Sequence, residues 1–329
     1  MPISRPLRRR PEPLDLPADF DVLEALLRRR DEGSEPGQRT DDFRIALVVS
    51  GGGMRGGSTG GMARALQSAG LGRAFDVAYG TSSGAFIAAS VVHGLADQAS
   101  RVFSDDMSKP EFLDLRRLWQ REPVMSLDHL IDHILTQTKP IPWSDTVTHD
   151  VPLHIIATAV DDMASYALEN LDTEDKWRLA FRATACVPGF AGKPVELNGR
   201  SWIDGSVTEP LAAMRAVNDG ATHVLALVAR SAPELNHADI TLGSIAKKHA
   251  VNRVANGLGS MLQDRIHYTE SIRDLAASDA HAYVMANPES AGVRGFTRDV
   301  AKIDRAVELG QLTAQYALGA AQERRVAHG

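Results

Sequence analysis

The pentapeptide GTSSG, residues 80–84, has the G-x-S-x-G spacing that presents a nucleophilic serine, with Ser82 at its centre. In this motif the chain turns sharply from a strand into a helix, so the central hydroxyl lies exposed at the helix N-terminus. Gly80 and Gly84 let the neighbouring backbone approach without a Cβ clash. An apolar strand precedes the motif and a helix of small residues follows it. The spacing predicts Ser82 as a nucleophile, and a plain glycine turn is the structural alternative.

Seven glycines follow the first predicted strand, in the segment VVSGGGMRGGSTGG at residues 48–61. Such a turn between a strand and a helix binds negative charge, either nucleotide phosphates or an oxyanion formed during a reaction. The letters match the dinucleotide fingerprint G-x-G-x-x-G, but such a match is weak in so glycine-rich a segment. Asp76, which would bind the ribose, sits at the start of the second strand, and Gly57 occupies the lysine position of a P-loop. The nucleotide hypotheses are therefore disfavoured.

The same segment can form an oxyanion hole if it neighbours the serine turn. The donors would be the backbone N–H groups of residues 52–56 at the start of the following helix. Arg55 is interpreted either as a stabiliser of the turn or of the developing charge, or as an ordinary arginine at a helix end.

The candidate base is Asp204, in the segment WIDGSVTEP, where it follows a predicted strand and precedes a glycine. A carboxylate in this position is presented on a turn, although an ordinary Asp-Gly turn has the same letters. None of the eleven histidines lies in a motif that marks a catalytic base. His93, His154 and His223 are predicted to be structural.

Together these segments resemble the patatin-like phospholipase family, which combines G-G-G-x-[RK]-G, G-x-S-x-G and D-G-[GA] motifs in this order. The stretch RATACVPGF, residues 182–190, resembles the family pattern [RK]-A-[ST]-x-x-x-P-x-x-F, and the tail TRDVAKIDRAVELGQ is similar to that of bacterial members. The resemblance covers residues 43–320. The matching positions are Gly51, Gly52, Gly53, Arg55 and Gly56, then Gly80, Ser82 and Gly84, then Pro188, then Asp204 and Gly205.

The resemblance implies an α/β fold, with three α/β/α layers around a largely parallel central sheet. It implies a serine acyl hydrolase in which Ser82 attacks an ester carbonyl, Asp204 activates Ser82, and the glycine loop binds the oxyanion. The substrate would be a lipid ester, such as a phospholipid or lysophospholipid, and neither a metal nor another cofactor would be needed. The competing hypothesis is a catalytically weak member that binds lipid or a protein partner.

Two positions beside the predicted base depart from the family pattern. Ser206 stands where glycine or alanine is usual, and Glu209-Pro210 stands where an asparagine often comes two residues before a proline. These departures leave the serine–aspartate pair intact and bear on substrate preference and activity.

The hydrophobic pattern divides the chain into three parts. Residues 1–43 are predicted as a flexible leader with a short amphipathic helix, residues 44–320 as the hydrolase domain, and residues 321–329 as a tail. From residue 43 the domain alternates strands and helices, which is typical of α/β architecture. A hairpin is predicted to turn at Asn198-Gly199.

The composition of the chain limits the kinds of partner that it can bind. The 329 residues carry a net charge of −6, which argues against a general nucleic-acid binder, and the single cysteine, Cys186, allows no internal disulfide. No apolar run reaches the length of a membrane span, so a cytoplasmic location with transient membrane-surface contact is predicted, and the oligomeric state stays open. Arg116, Arg117 and Arg121 are interpreted as a solvated face rather than a head-group site. The apolar face of residues 126–137 is interpreted as core rather than an acyl channel.

Overall fold

The computed structural model describes residues 14–236 and 264–328. The long helix predicted over residues 245–277 falls partly outside this range, and its described part is a helix from Asp264 to Ala276.

An eight-stranded sheet forms the centre of the molecule. Its path runs β5-β6-β3-β2-β1-β7-β8, with β4 paired to β3. The five strands from β3 to β8 along this path are parallel, and β4, β5 and β6 add antiparallel pairs at one edge. The strands are β1 Ile45–Val49, β2 Val77–Thr81, β3 Leu153–Ala159, β4 Ser165–Ala167, β5 Val195–Leu197, β6 Arg200–Asp204, β7 His223–Val228 and β8 His281–Ala286.

Helices cover both faces of this sheet. The described α-helices are α1 Phe20–Asp31, α2 Gly56–Ser68, α3 Ser83–Val92, α4 Ala96–Val102, α5 Arg117–Gln120, α6 Trp143–Val147, α7 Glu174–Thr184, α8 Ala213–Asn218, α9 Ala232–Asn236, α10 Asp264–Ala276 and α11 Val300–His328. Leu47 and Val49 of β1 pack with the α1–α4, α7 and α11 side, whereas Ala46 and Val48 pack with α8, α9 and α10. A strand buried on both faces reads as a continuous apolar run. The predicted α/β class with three layers and a largely parallel sheet is confirmed.

Two segments beside α4 and α6 are π-helical rather than α-helical. They comprise Phe103–Met107 and His129–Thr138. In the second, Thr136 and Thr138 donate their hydroxyls to the carbonyls of Ile131 and His133, five residues back, which suits the wider π turn. The apolar side chains of this segment are buried in the main core, as the sequence interpretation favoured.

Strand register brings the carboxyl ends of three strands to one level. Val49 lies opposite Gly80 on β2, and Thr81 lies opposite Ile156 on β3. The next residue of β3, Ala157, pairs with Asp204 at the end of β6. The hairpin that delivers β6 turns at Asn198-Gly199, both at positive φ, as predicted. The residues after β1 and β2 therefore meet the end of β6.

The predicted amphipathic helix of the leader is α1, and it packs on β8 and α11. Its Arg29 side chain is wholly buried and pairs with Asp41 at 2.7 Å and Asp76 at 2.8 Å. Asp76 also accepts a hydrogen bond from the Ile45 backbone N–H. Asp76 therefore joins α1 to the amino ends of β1 and β2, whereas the glycine loop lies at the carboxyl end of β1. The domain boundaries at residues 43 and 320 stay predictions, and α11 continues to His328.

Within the two described stretches, none of the helices combines the length and apolar character needed to cross a lipid bilayer.

We expect Arg29→Leu to lower the free energy of unfolding by about 3–5 kcal/mol, because the change leaves two carboxylates without their buried cation. Urea unfolding followed by circular dichroism measures the difference. Arg28 is exposed on the same helix, so Arg28→Leu is the matched control and should change the value by only about 0.5 kcal/mol. Equal effects of the two substitutions would contradict the structural role of the ion pairs.

Candidate active site

Ser82 occupies the sharp turn between β2 and α3. Its backbone has φ 53° and ψ −128°, a conformation that a non-glycine residue rarely adopts. A Cβ at Gly84 would overlap the carbonyl oxygens of Val49 and Ser50, and one at Gly80 would overlap the backbone of Ala85. The two glycines of the motif are therefore required by close approach of the backbone. The predicted elbow geometry is present, with the serine at the N-terminus of a ten-residue helix.

The Asp204 carboxylate lies beside the Ser82 hydroxyl. Ser82 Oγ donates to Asp204 Oδ2 at 2.7 Å, although the two residues are 122 positions apart. The second carboxylate oxygen, Oδ1, accepts the backbone N–H of Ser206 at 2.8 Å. The main chain of Asp204 is also fixed, since its N–H bonds the Cys186 carbonyl and its carbonyl accepts the Thr158 hydroxyl. The structure thus brings the two predicted catalytic residues into direct contact.

Burial sets the acidity of this carboxyl group. Asp204 is 0% exposed, and Ser82 is 7% exposed. Removal from water raises the pKa of Asp204 to about 6, and the hydrogen bonds from Ser82 and Ser206 act in the opposite direction. A carboxylate with this pKa is a stronger base than an exposed aspartate.

Thr184, which the sequence analysis did not single out, holds the backbone of the nucleophile turn. Its Oγ1 accepts the N–H of Ser82 at 2.7 Å, and its hydroxyl donates to the carbonyl of Ile156 on β3. Thr184 is fully buried at the C-terminus of α7. It is the [ST] residue of RATACVPGF, so the motif held the signal, but spacing alone gave no role for it.

The glycine loop lies against the dyad. A Cβ at Gly51 would come within 3.2 Å of Ser82 Cβ and would overlap the Ser206 hydroxyl. A Cβ at Gly56 would lie 3.0 Å from Ser83 Oγ and would overlap the ring of Phe103. The loop and the nucleophile turn are therefore direct neighbours, as the oxyanion hypothesis required.

Most N–H groups of this loop already have acceptors. The Gly51 N–H donates to the Pro210 carbonyl at 3.0 Å, and that of Met54 donates to Gly295 at 3.1 Å. The N–H groups of Arg55 and Gly56 bond carbonyls inside the loop. Those of Gly52 and Gly53 bond no acceptor in the described part of the chain. Of the five predicted oxyanion residues, two therefore have N–H groups to offer.

The supporting residues shape the surroundings of Asp204. A Cβ at Gly205 would overlap the carbonyl of Ile156, and Pro188 is buried in the turn that follows α7. Ser206 Oγ is buried against Gly51 and has no hydrogen-bond partner among the described residues. Glu209 turns away from the carboxylate and pairs with Arg215 at 2.7 Å. The two departures from the family pattern thus leave both oxygens of Asp204 with their donors.

The three histidines considered earlier have partners outside the dyad. His93 Nε2 contacts Thr146 Oγ1 at 2.9 Å, and burial lowers the pKa of its ring to about 4. His154 stacks on Tyr79, and His223 stacks on His281. Among the described residues, no histidine bonds Ser82 or Asp204. Over residues 14–236 and 264–328, the geometry supplies a serine–aspartate pair without an imidazole.

The α/β/α fold thus carries a serine elbow, a neighbouring glycine loop and a buried aspartate that bonds the elbow serine. The sequence matches the patatin-like phospholipase family model over residues 47–217, a range that includes Ser82, Asp204 and the glycine loop. The chain belongs to the patatin-like phospholipase family.

Similar proteins differ in how much they share with this chain. The uncharacterized protein YjjU of Escherichia coli (strain K12) is 30% identical over 182 residues, which is 54% of this chain and 50% of that protein. The chain therefore spans about half the length of this curated relative. The structure of human GIVD cytosolic phospholipase A2 in complex with methyl gamma-linolenyl fluorophosphonate aligns with a TM-score of 0.44, at 13% identity, over 94% of this chain and 63% of that one.

We expect Thr184→Val to lower the free energy of unfolding by about 1–3 kcal/mol, because the buried N–H of Ser82 loses its acceptor while the side-chain volume is kept. Chemical denaturation measures this loss. Thr184→Ser keeps the hydroxyl and should retain most of the stability. If valine and serine destabilise equally, the methyl group rather than the hydrogen bond is the important contact.

Proposed function

We propose that this chain is a serine acyl hydrolase that cleaves carboxylic esters of lipids through a Ser82–Asp204 dyad. The observation that carries the proposal is the 2.7 Å hydrogen bond from the Ser82 hydroxyl to the buried Asp204 carboxylate. A serine needs a base within hydrogen-bond distance to become a nucleophile, and Asp204 is the only ionisable group in the described chain that bonds this hydroxyl.

In the first step, Asp204 Oδ2 removes the hydroxyl proton as Ser82 Oγ bonds the ester carbonyl carbon. The carbonyl oxygen becomes an oxyanion in the tetrahedral intermediate. Gly52 and Gly53 offer the N–H groups that would bind it, since the other loop donors are occupied. The positive end of α3 lies at the same point and favours negative charge.

The intermediate then collapses and the bond to the alcohol oxygen breaks. Protonated Asp204 returns its proton to this leaving group, and the acyl chain stays on Ser82 as an ester. A water molecule attacks that ester, with Asp204 again accepting a proton, and the acid is released as Ser82 regains its hydrogen. The raised pKa of Asp204 suits a group that gives and accepts a proton in turn.

A groove beside α7 supports an amphipathic substrate. It has a volume of about 450 Å³ and lies between the chain around Met125 and the segment after α7. Its walls include apolar Met125 and Leu127 and cationic Arg182 and Lys193. Arg182 lies two residues before Thr184, which bonds the Ser82 backbone. The lining also includes acidic Asp128, which pairs with Arg182 at 2.6 Å. Met125 and Leu127 fit the acyl chain of a phospholipid or lysophospholipid, and Lys193 fits its phosphate.

A second cavity, behind α3, is too small for an acyl chain. A cavity lined by Phe86, Phe103 and Leu135 has a volume of only about 20 Å³, close to that of a single water probe. This favours the groove as the site of substrate binding.

Fluorophosphonates modify activated serines, so a fluorophosphonate probe should label the wild-type protein and fail to label Ser82→Ala. Ser83→Ala is the matched control because the Ser83 hydroxyl is buried next to the elbow and makes no hydrogen bond. In-gel detection of the probe gives the result. Labelling that survives Ser82→Ala would reject the nucleophile, whereas an unlabelled wild-type protein would favour the catalytically weak lipid- or partner-binding hypothesis.

We expect the activity to fall as the pH drops through about 6, because Asp204 acts as a base only when it is ionised. The measurement is kcat/KM for a soluble short-chain ester as a function of pH. Asp204→Asn should lower the rate by at least about 10³-fold.

Stability gives an independent check on the same group. The pKa of Asp204 is raised from 3.8, so the folded state binds this proton more tightly than the unfolded state. The favourable contribution is complete below the unfolded pKa and is lost as the pH rises through the folded pKa. Asp204→Asn should therefore be more stable than wild type well above pH 6, by up to about 3 kcal/mol, and should lose this advantage near pH 4. In the activity measurement, a near-normal rate of ester hydrolysis by Asp204→Asn would show that another group is the base.

A further inference from the structure

A surface loop with an exposed tryptophan projects beside the groove. We define the 114–124 loop by the hydrogen bond that closes its base, from the Asp114 N–H to the Val124 carbonyl at 3.0 Å. Leu113 pairs with Met125 just below, and both side chains are buried. The base of the loop is therefore fixed in the core, so the position of its outer part is defined by the fold.

The outer part of this loop exposes apolar side chains that do not pack in the core. Trp119 is 91% exposed and Leu115 is 48% exposed, whereas the other three tryptophans, Trp143, Trp177 and Trp202, are buried at 5–6%. A tryptophan combines a large apolar ring with an N–H donor, and it is the side chain most suited to the boundary between lipid and water. Such exposure in one short loop indicates a partner surface rather than a packing role.

The charge of the same segment is opposite to that of the whole chain. Residues 115–121 contain three arginines and no acidic residue, in a protein with net charge −6. Asp114 pairs with Arg116 at 2.8 Å. Arg117 and Arg121 form no ion pair with any carboxylate in the described stretches, and Arg117 donates only to the carbonyls of Pro110 and Glu111. Two guanidinium groups thus remain beside the exposed tryptophan to meet negative charge.

The 114–124 loop also adjoins the groove that we propose for the substrate. Arg117 and Glu122 of the loop line the groove, together with Arg182 of α7. Met125, at the base of the loop, donates its N–H to the Phe190 carbonyl in the turn that follows α7. A surface bound by this loop would therefore lie next to the groove that we propose for the substrate.

From these contacts we infer that the 114–124 loop is a membrane anchor that places the enzyme on an anionic phospholipid surface, with Trp119 and Leu115 inserted among the head groups and the arginines on lipid phosphates. The inference rests on the proposed function, because an enzyme that cleaves lipid esters would find its substrate in the membrane. The loop's binding chemistry does not depend on catalysis. It also revises the interpretation of these arginines as a solvated face.

The test uses the full chain carrying Ser82→Ala, so that no lipid is consumed. Co-sedimentation with vesicles of phosphatidylcholine alone, and of phosphatidylcholine mixed equally with phosphatidylglycerol, gives the affinity. We expect binding to the anionic vesicles, with a loss of about tenfold or more for Trp119→Ala and about fivefold for Arg121→Gln. The tryptophan emission should shift to shorter wavelength on binding, because Trp119 is the exposed tryptophan.

Tyr316 provides the matched control, since it is another aromatic side chain on the surface, 83% exposed on α11. Tyr316→Ala should bind vesicles like the parent. In the chain that retains Ser82, Trp119→Ala should hydrolyse a soluble short-chain ester at the wild-type rate. The anchor is rejected if the anionic vesicles do not bind, if Trp119→Ala binds normally, or if Tyr316→Ala loses binding equally. Vesicle binding without ester hydrolysis by the wild type would reject the proposed function alone.

Discussion

The buried hydrogen bond between Ser82 and Asp204 is the contact on which the rest of the site depends. A carboxylate fully removed from water is unfavourable unless donors surround it, and here one oxygen faces the serine hydroxyl and the other faces a backbone N–H. The raised pKa of Asp204 reflects what these donors leave uncompensated. The same burial that disfavours the charge makes the carboxylate a stronger base than an exposed aspartate.

Such a pair requires that two strand ends meet closely and hold their geometry. The antiparallel β6 delivers Asp204 beside β3, next to the end of parallel β2, where Ser82 begins α3. Gly84 and Gly205 have no room for a Cβ because backbone carbonyls touch them. Thr184 then fixes the strained turn from a third element, α7. The site is rigid because each of its parts is attached to the sheet or to a helix that packs on it.

Different groups of residues lie at the amino ends and at the carboxyl ends of the strands. At the amino ends of the strands, Asp76 joins Arg29, Arg39 and the β1 backbone, so the acid that a dinucleotide site would require is a structural residue. At the carboxyl ends lie the glycine loop, Ser82 and Asp204. The ion pairs of Asp76 thus lie at the opposite end of the strands from the buried carboxylate of Asp204.

The sequence by itself determined the fold class, the turn at Ser82 and the hairpin at Asn198-Gly199, and it predicted Asp204 as the partner of Ser82. These depend on local patterns of apolar residues, glycines and turns. Only the tertiary structure decided which groups touch. It showed Thr184 bonded to Ser82, left the N–H groups of Gly52 and Gly53 without acceptors among the described residues, and exposed Trp119 while burying the other tryptophans. Hydrogen-bond partners and exposure are set by residues far apart in the chain, and no local pattern contains that information.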